Sequence, residues 1–482
     1  MLLAVPLVAS SLAVAPSDDW PQFRGPGGLA VAGDTAIPAE FGPDQNVLWK
    51  TTIPAGQSSP CVAGGRIFLS GYDDGKYVAV ALDLESGEEL WRKEFTGTPL
   101  GQRVHPDALP ATPTAAADGE HVVFYFETYG LVAVDPDGKP LWEKRLEDPG
   151  NTFGVGTSPL LFDGLLVLSR DGASEAAILC YDVTDGSELW RIDRIDFGES
   201  HGSPFVWNNA DRDELVIGGT NRLCSYDLGS GEPLWVVDGL TNFPCTTPTA
   251  DADTLYFAAW STPNATGRSF WEGAFARSLD LSDEEVEEPM KLFDRLDANG
   301  DGKIVPDEVP ESRAKDAFPF LDRNFDGAWD RTEFGTPPSP APGQNLMVAV
   351  ARGAEGDATE SSVRWTWRRG LPYVSSPLLY QGRVWLFKSG GLATCIDAKT
   401  GKAVFQRERL SDRSEYYMSP VGAAGRVIVG TAEGTLYVLD AASDELEVTH
   451  TATFDEGLFA TPAVIGGRVY LRTPTAMWAF GE

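Results

Sequence analysis

Val78-Ala-Val-Ala-Leu-Asp-Leu-Glu-Ser-Gly-Glu-Glu-Leu-Trp91 reads as a strand, a tight turn and the start of a second strand. An apolar run ends at Asp83, Gly87 stands where the turn needs positive φ, and Trp91 opens the next strand. The block returns at residues 135–142, 182–190, 227–235 and 397–405, and in a weaker form at 440–448. The recurring Asp is expected to cap the turn through its side chain, and the recurring aromatic to pack between neighbouring units.

A Ser/Thr-Pro step precedes each unit. The steps are Ser59-Pro60, Thr112-Pro113, Ser158-Pro159, Ser203-Pro204, Thr247-Pro248, Ser376-Pro377, Ser419-Pro420 and Thr461-Pro462. The prolines lie 53, 46, 45, 44, 129, 43 and 42 residues apart. A period near 45 fits four short strands per unit, the spacing of a propeller blade. Eight steps predict an all-β, eight-bladed β-propeller. The last unit is one strand short, and Asn46-Val-Leu-Trp-Lys-Thr-Thr-Ile53 supplies a Trp-bearing strand to close the ring. Closure removes the open sheet edges that otherwise invite aggregation.

The interval of 129 is one period plus about 84 residues, so blade 5 carries an insertion. The chain divides into a signal peptide at 1–15, an extended segment at 16–45, propeller at 46–262, an insert at 263–343 and propeller at 344–482. The insert holds Asp297-Ala-Asn-Gly-Asp-Gly-Lys-Ile-Val-Pro-Asp-Glu308 and Asp322-Arg-Asn-Phe-Asp-Gly-Ala-Trp-Asp-Arg-Thr-Glu333. Both match the EF-hand calcium loop D-x-[DN]-x-[DN]-G-x5-E. The first offers Asp297, Asn299, Asp301, the Lys303 carbonyl and bidentate Glu308, with Val305 leaving one vertex to water or empty. The second offers Asp322, Asn324, Asp326, the Ala328 carbonyl, Asp330 through water, and Glu333. Hard oxygen ligands at this spacing favour Ca²⁺ at two sites over Mg²⁺. Ser282 is expected to cap a helix running to about Leu296, with Met290, Phe293 and Leu296 on one face. Ile304 and Trp329 occupy the position where paired loops exchange a short β contact. Only 13 residues separate Glu308 from Asp322, and Pro306, Pro310 and Pro319 shorten any helix between them. That favours a structural or buffering calcium module over a sensor.

The net charge of −33 argues against nucleic acid and anionic membrane surfaces as partners. Between Asp280 and Glu333 there are 17 acidic and 7 basic residues, so −10 of it belongs to the insert. Cys61, Cys180, Cys224, Cys245 and Cys395 have neither adjacent nor C-x-x-C spacing, and buried free thiols are expected. The apolar run at 1–15 ends Ala13-Val14-Ala15, a signal-peptide pattern too short to span a membrane. An extracytoplasmic location follows, with no transmembrane span.

Residues just before each Ser/Thr-Pro step are expected to line the central funnel: Gln57, Thr157, Glu199, His201, Thr246, Tyr373, Tyr417 and Phe459. Among them Glu199, His201, Tyr373 and Tyr417 are candidates for recognising a ligand, and a Glu–His pair can do acid–base work. Arg103 and His105 fall in a long loop between blades.

The blocks Ala81-Leu-Asp-Leu-Glu-Ser-Gly-Glu-Glu-Leu-Trp91 and Cys395-Ile-Asp-Ala-Lys-Thr-Gly-Lys402 resemble the A-x-D-x-x-T-G-x-x-x-W signature of the PQQ-type, quinoprotein dehydrogenase-like propellers. Asp19-Trp-Pro-Gln-Phe-Arg-Gly-Pro26, Asn46-Val-Leu-Trp-Lys50 and Ser58-Ser-Pro60 are similar to the same exported repeat proteins. The resemblance covers roughly residues 19–262 and 344–482. It implies two functional classes. A PQQ-dependent alcohol or sugar dehydrogenase would hold its quinone beneath a disulfide of adjacent cysteines, beside a Glu/Asn calcium site and a catalytic Asp. This chain has no adjacent cysteines, so PQQ is not expected and no catalytic residue is assigned. The favoured class is the BamB-like one: a non-catalytic scaffold taking a protein or peptide partner on a propeller face.

Overall fold

The computed structural model describes residues 19–482 except 34–35, 99–108, 152, 173–174, 195–198, 210–211, 262–278, 280, 283, 286–287, 311–314, 316–326 and 332–342. The signal-peptide run, Arg103, His105, and Asp322, Asn324, Asp326 and Glu333 of the second loop lie outside the described residues.

Eight sheets form the expected all-β propeller, seven of them four-stranded and antiparallel and one, blade 4, with a fifth strand added. Blade 1 is built from Cys61–Ala63, Arg66–Asp73, Lys76–Asp83 and Glu89–Phe95. Its burial follows strand position. Lys76–Asp83 is buried on both faces because neighbouring blades cover it, so its sequence is continuously apolar. Glu89–Phe95 alternates exposed and half-buried residues, as an outer strand with one wet face does.

The turn block behaves as the sequence expects. Asp83 Oδ1 accepts hydrogen bonds from Glu85 N, Ser86 N and Ser86 Oγ. Asp182, Asp227 and Asp397 hold their turns in the same way. These bonds pull the Asp83, Asp227 and Asp397 carboxyls below the usual carboxylate range. Trp49, Trp91, Trp142, Trp190 and Trp365 each cover the turn glycine of the next blade. A Cβ on Gly138 would meet the Trp91 ring at 2.8 Å, and one on Gly87 would meet Trp49 at 2.5 Å. Trp91 Nε1 also donates to Pro136 O at 3.0 Å, and Trp142 Nε1 to Val183 O at 2.7 Å. Both Gly87 and Gly138 have positive φ, so glycine is required twice over.

The ring closes where expected. Val47–Thr52 pairs antiparallel with Ala476–Phe480, the third strand of blade 8, from Val47↔Phe480 to Thr52↔Ala476. Buried Arg472 ties blade 8 to blade 1, donating to Ser70 O at 2.7 Å and Pro54 O at 3.1 Å.

Blade 5 is discontinuous in sequence. Thr254–Ala259 and Leu346–Ala351 are hydrogen-bonded neighbours, so residues 260–345 leave the blade and return to it. Its last connection also reaches backwards. Gly356–Asp357 adds a parallel fifth strand to blade 4 beside Trp235 and Val236. Within the insert, helix α1 (Pro289–Leu296) packs Leu292, Phe293 and Leu296 against Ile304, Val309 and Trp329, with Met290 at the edge of the cluster. Ser282 and Glu285 exchange the reciprocal bonds of a capping pair, Glu285 N donating to Ser282 Oγ and Ser282 N to Glu285 Oε2, but α1 begins only at Pro289, with Glu288 and not Ser282 at its N-cap. Among the described residues no helix is long and apolar enough to cross a membrane.

The N-terminal segment is more than a linker. Trp20 exchanges backbone hydrogen bonds with Val62 of blade 1, and Pro21 O accepts from Ala117 N of blade 2. Ala30 and Ala32 bond to Gly422 of blade 7. Between them Arg24 sits fully buried and donates to Thr247 O, Pro248 O and Pro377 O of blades 5 and 6. One short segment therefore crosses the propeller and plugs one end of its axis.

Candidate functional site

Each blade turns its first strand towards the axis, and the residue leading into it belongs to a closed hydrogen-bonded ring. Ser59 N donates to Thr114 Oγ1, Thr114 N to Ser158 Oγ, and Ser158 N to Ser203 Oγ, at 2.9, 3.0 and 2.9 Å. Ser203 N continues to Thr247 Oγ1, Thr247 N to Ser376 Oγ, and Ser376 N to Ser419 Oγ. Ser419 N reaches Thr461 Oγ1, and Thr461 N returns to Ser59 Oγ at 3.0 Å. A Ser or Thr is needed at every station because each backbone N–H finds its acceptor in the next blade's hydroxyl.

Seven stations are the Ser/Thr of the Ser/Thr-Pro steps. The eighth corrects the sequence reading: in blade 2 Thr114 takes the place, not Thr112. Thr112 Oγ1 donates instead to Leu109 O at 2.9 Å. A shift of two residues keeps the same strand face inward, so the register survives.

The same period of two places a second layer above the ring. The residues two positions earlier are Gln57, Thr112, Gly156, His201, Cys245, Val374, Tyr417 and Phe459, and all eight line an axial cavity of about 200 Å³. Phe153, Phe243 and Tyr373 widen its wall, and Phe23 from the plug closes its floor. Tyr417 and Phe459 stack with centroids 5.7 Å apart and planes 12° from parallel. Tyr373 packs edge-on to Trp260 at 6.0 Å.

Of the expected funnel residues, Gln57, His201, Tyr373, Tyr417 and Phe459 line this cavity. Thr157, Glu199 and Thr246 are buried outside its lining. Thr246 turns away and donates to Ala258 O at 2.7 Å. Glu199 and His201 are not brought together as an acid–base pair. Glu199 lies towards Cys245, where its charge adds to burial in pushing the thiol up to about 12. His201 instead packs between Phe243, at 5.0 Å, and Phe153, at 6.3 Å. All five cysteines are unpaired. Phe23, Phe153, Phe243 and, in the second layer, Thr112, Gly156, Cys245 and Val374 were missed; counting back two residues from the ring finds the last four.

Among the described residues, none that lines the cavity is Asp, Glu, Lys or Arg. Burial pushes the His201 imidazole down to about 4, against a smaller opposing effect of the Gly154 backbone. The cavity is therefore neutral at pH 7 in a strongly acidic protein. A histidine depressed in the folded state destabilises the fold as pH falls. That loss begins below its unfolded value near 6.5 and is complete near 4. We expect a loss on the order of 2 kcal/mol across this window, absent from His201→Gln; pH-dependent urea melts of both proteins measure it.

In the insert, the first loop is fully described. Asp297 Oδ2 accepts from Gly302 N at 2.9 Å, Asn299 Oδ1 from Asp301 N at 2.8 Å, and Asp301 Oδ1 from Lys303 N at 2.9 Å. Glu308 turns back to Val305 N at 3.0 Å. Gly302 and Gly327 share a φ of 83° at the sharp turn of each loop. Lys303–Ile304 pairs with Trp329–Asp330, so the expected contact between Ile304 and Trp329 is present. Among the described residues, no three His, Cys, Asp or Glu side chains gather as a metal cluster; the loop oxygens engage the loop backbone instead.

Comparison with known proteins agrees with this architecture. The structure is similar to that of BamB from Moraxella catarrhalis, with a TM-score of 0.57 and 13% identity over 90% of this chain and 99% of that one. It is also similar to a quinohemoprotein alcohol dehydrogenase from Comamonas testosteroni, with a TM-score of 0.53 and 13% identity over 97% and 81% of the two chains. At these identities the likeness is one of fold. In sequence, the chain is 29% identical over 211 residues to the outer membrane protein assembly factor BamB of Burkholderia pseudomallei, which is 42% of this chain and 50% of that relative. The chain thus matches about half the length of this relative. The family described as outer membrane protein assembly factor BamB matches residues 27–168, which run from the plug through the closing strand and blades 1 and 2 into blade 3.

Proposed function

We propose that this protein is an extracytoplasmic, non-catalytic binding scaffold that takes a protein or peptide partner at the funnel mouth and binds Ca²⁺ through its blade 5 insert. One observation carries the partner reading: the funnel wall is rich in aromatic rings and, among the described residues, uncharged. Stacked and edge-on rings such as Tyr417, Phe459 and Tyr373 offer large apolar area with polar tips, the chemistry of interface hot spots. A general acid or base needs a titrating group in reach of substrate, and His201, held neutral between two phenyl rings, is poorly suited to gain a proton. Likeness to BamB supports an extracytoplasmic setting.

The quinone implied by the second relative fits this cavity poorly. Pyrroloquinoline quinone carries three carboxylates, and among the described residues the lining supplies no Lys or Arg to meet them. No redox step is derived.

The partner reading is tested by selecting a displayed random-peptide library on the wild-type protein and counter-selecting on Tyr417→Ala/Phe459→Ala. Peptides carrying an aromatic anchor should be enriched, and lose at least about tenfold in affinity for the double variant. Enriched peptides that bind both proteins equally would sink it.

For calcium, Asp297, Asn299, Asp301, Glu308 and the Lys303 carbonyl would hold one ion. Asp322, Asn324, Asp326, Asp330, Glu333 and the Ala328 carbonyl would hold the other. The support is the donor set, the two positive-φ glycines and the ladder joining the loops. Four carboxylates against three should make the second site the tighter. Titration calorimetry of Asp326→Ala should therefore lose the tighter event and Asp301→Ala the weaker. Loss of the tighter event in Asp301→Ala reverses the ranking.

A further inference from the structure

The ring beneath the aromatic wall presents donors that no described residue accepts. Each of its eight hydroxyls receives one backbone N–H, and among the described residues none donates its own hydrogen to a protein acceptor. All eight side chains are at most 6% exposed, and all line the cavity. A hydroxyl is donor and acceptor at once, and a buried donor left unmade is costly. The space they face therefore calls for an acceptor.

Water would serve, but Arg24 favours a charged occupant. Its guanidinium is wholly buried and bonded only to carbonyls: Thr247 O of the ring itself, and Pro248 O and Pro377 O one residue beyond two ring stations. Among the described residues no carboxylate pairs with it, and its Nε has no partner. Burial already pulls this arginine down to about 9. A buried cation without a counter-charge attracts an anion strongly where the dielectric is low. Inner strands run in one direction, so carbonyls at and beyond the ring lie on the side away from His201 and Tyr417. The ring thus stands between the Arg24 charge and the open funnel, with Phe23 beside it.

We propose that the propeller axis binds a small monovalent anion, a halide or the carboxylate of a larger ligand, seated in the ring of eight hydroxyls in front of Arg24. The net charge of −33 does not oppose this, because exposed acids more than about 8–10 Å away are screened at ordinary ionic strength and among the described residues no acid lines the cavity. One guanidinium offsets one charge, which disfavours sulfate and other dianions. The site is independent of the partner reading, which concerns the aromatic wall above it.

The test uses the full chain with bromide, acetate and benzoate as probes. Crystals soaked in bromide should show an anomalous peak on the axis within hydrogen-bond distance of the ring hydroxyls. Calorimetric affinities should fall at least about tenfold in Arg24→Met. Benzoate binding at least about tenfold tighter than bromide identifies the carboxylate of a larger ligand as the source; the reverse order identifies free halide. Arg24 also anchors the plug, so Ser203→Ala and Ser419→Ala, each removing one ring donor, provide the second comparison and should weaken the same probes. Water alone on the axis at saturating bromide, or a bromide peak with no binding of any probe in solution, overturns the proposal.

Discussion

A chain that begins at Ile53 is expected to lose the cooperative unfolding transition of the full-length protein and to aggregate. The deletion removes Val47–Thr52, which supplies the fourth strand of blade 8, and leaves Ala476–Phe480 as an unpaired edge. It also removes Trp20 and Phe41, both wholly buried, and the Arg24 plug that bonds blades 5 and 6. Lost ladder bonds at about 1 kcal/mol each, with two large aromatic side chains at ~2 kcal/mol or more each, exceed the margin of most domains. Calorimetry together with size-exclusion chromatography checks this. A truncated protein that stays monomeric and melts within a few degrees of the parent would show that ring closure matters little.

The second large effect sits at one glycine. Gly130 has a φ of 114°, and a Cβ there would lie 2.1 Å from Lys144 O and 2.6 Å from Leu146 N, both backbone atoms that cannot swing aside. Gly130→Ala must therefore break the pairing of Gly130 with Arg145 at the edge of blade 2. We expect a loss above about 4 kcal/mol. Gly75→Ala is the control, because Gly75 also has positive φ, at 77°, but a Cβ there meets nothing within 4 Å. Its cost should stay near 1 kcal/mol. Equal losses in urea melts of the two variants would mean that backbone conformation, and not the carbonyl clash, sets the penalty.

Much of this fold is legible because each blade repeats the same local solutions. Asp83, Gly87 and Trp91 state a turn, a positive-φ corner and an inter-blade contact, and the structure uses them that way. The closing strand was readable because Trp49 occupies the same place relative to Gly87 as Trp91 does to Gly138. Blade 5 was harder. Its Trp365 still covers Gly401 of blade 6, yet the turn before it is rebuilt by 352–362, which spends two residues pairing with blade 4. A pairing between blades leaves no periodic trace in one sequence.

The funnel was half legible. Taking the residue one before the Ser/Thr-Pro step chose the outward face, which is why Thr157 and Thr246 fell outside the lining; Glu199, four before its step, shares the parity of His201 and still falls outside it. The ring hydroxyls fix the phase, and a strict step of two then yields the wall. Arg24 could not be placed from sequence, since Asp19-Trp-Pro-Gln-Phe-Arg-Gly-Pro26 has no repeat partner and reaches the axis only in three dimensions.

As a proposed scaffold, this propeller should bind its partner without catalysing a redox reaction. The direct measurement is absorbance of the protein incubated with pyrroloquinoline quinone and Ca²⁺, desalted, and assayed with primary alcohols and sugars against an artificial dye acceptor. No quinone should be retained at stoichiometric level, and the dye should not be reduced above the protein-free rate. Stoichiometric quinone with substrate-dependent dye reduction would contradict the account and make the protein an oxidoreductase.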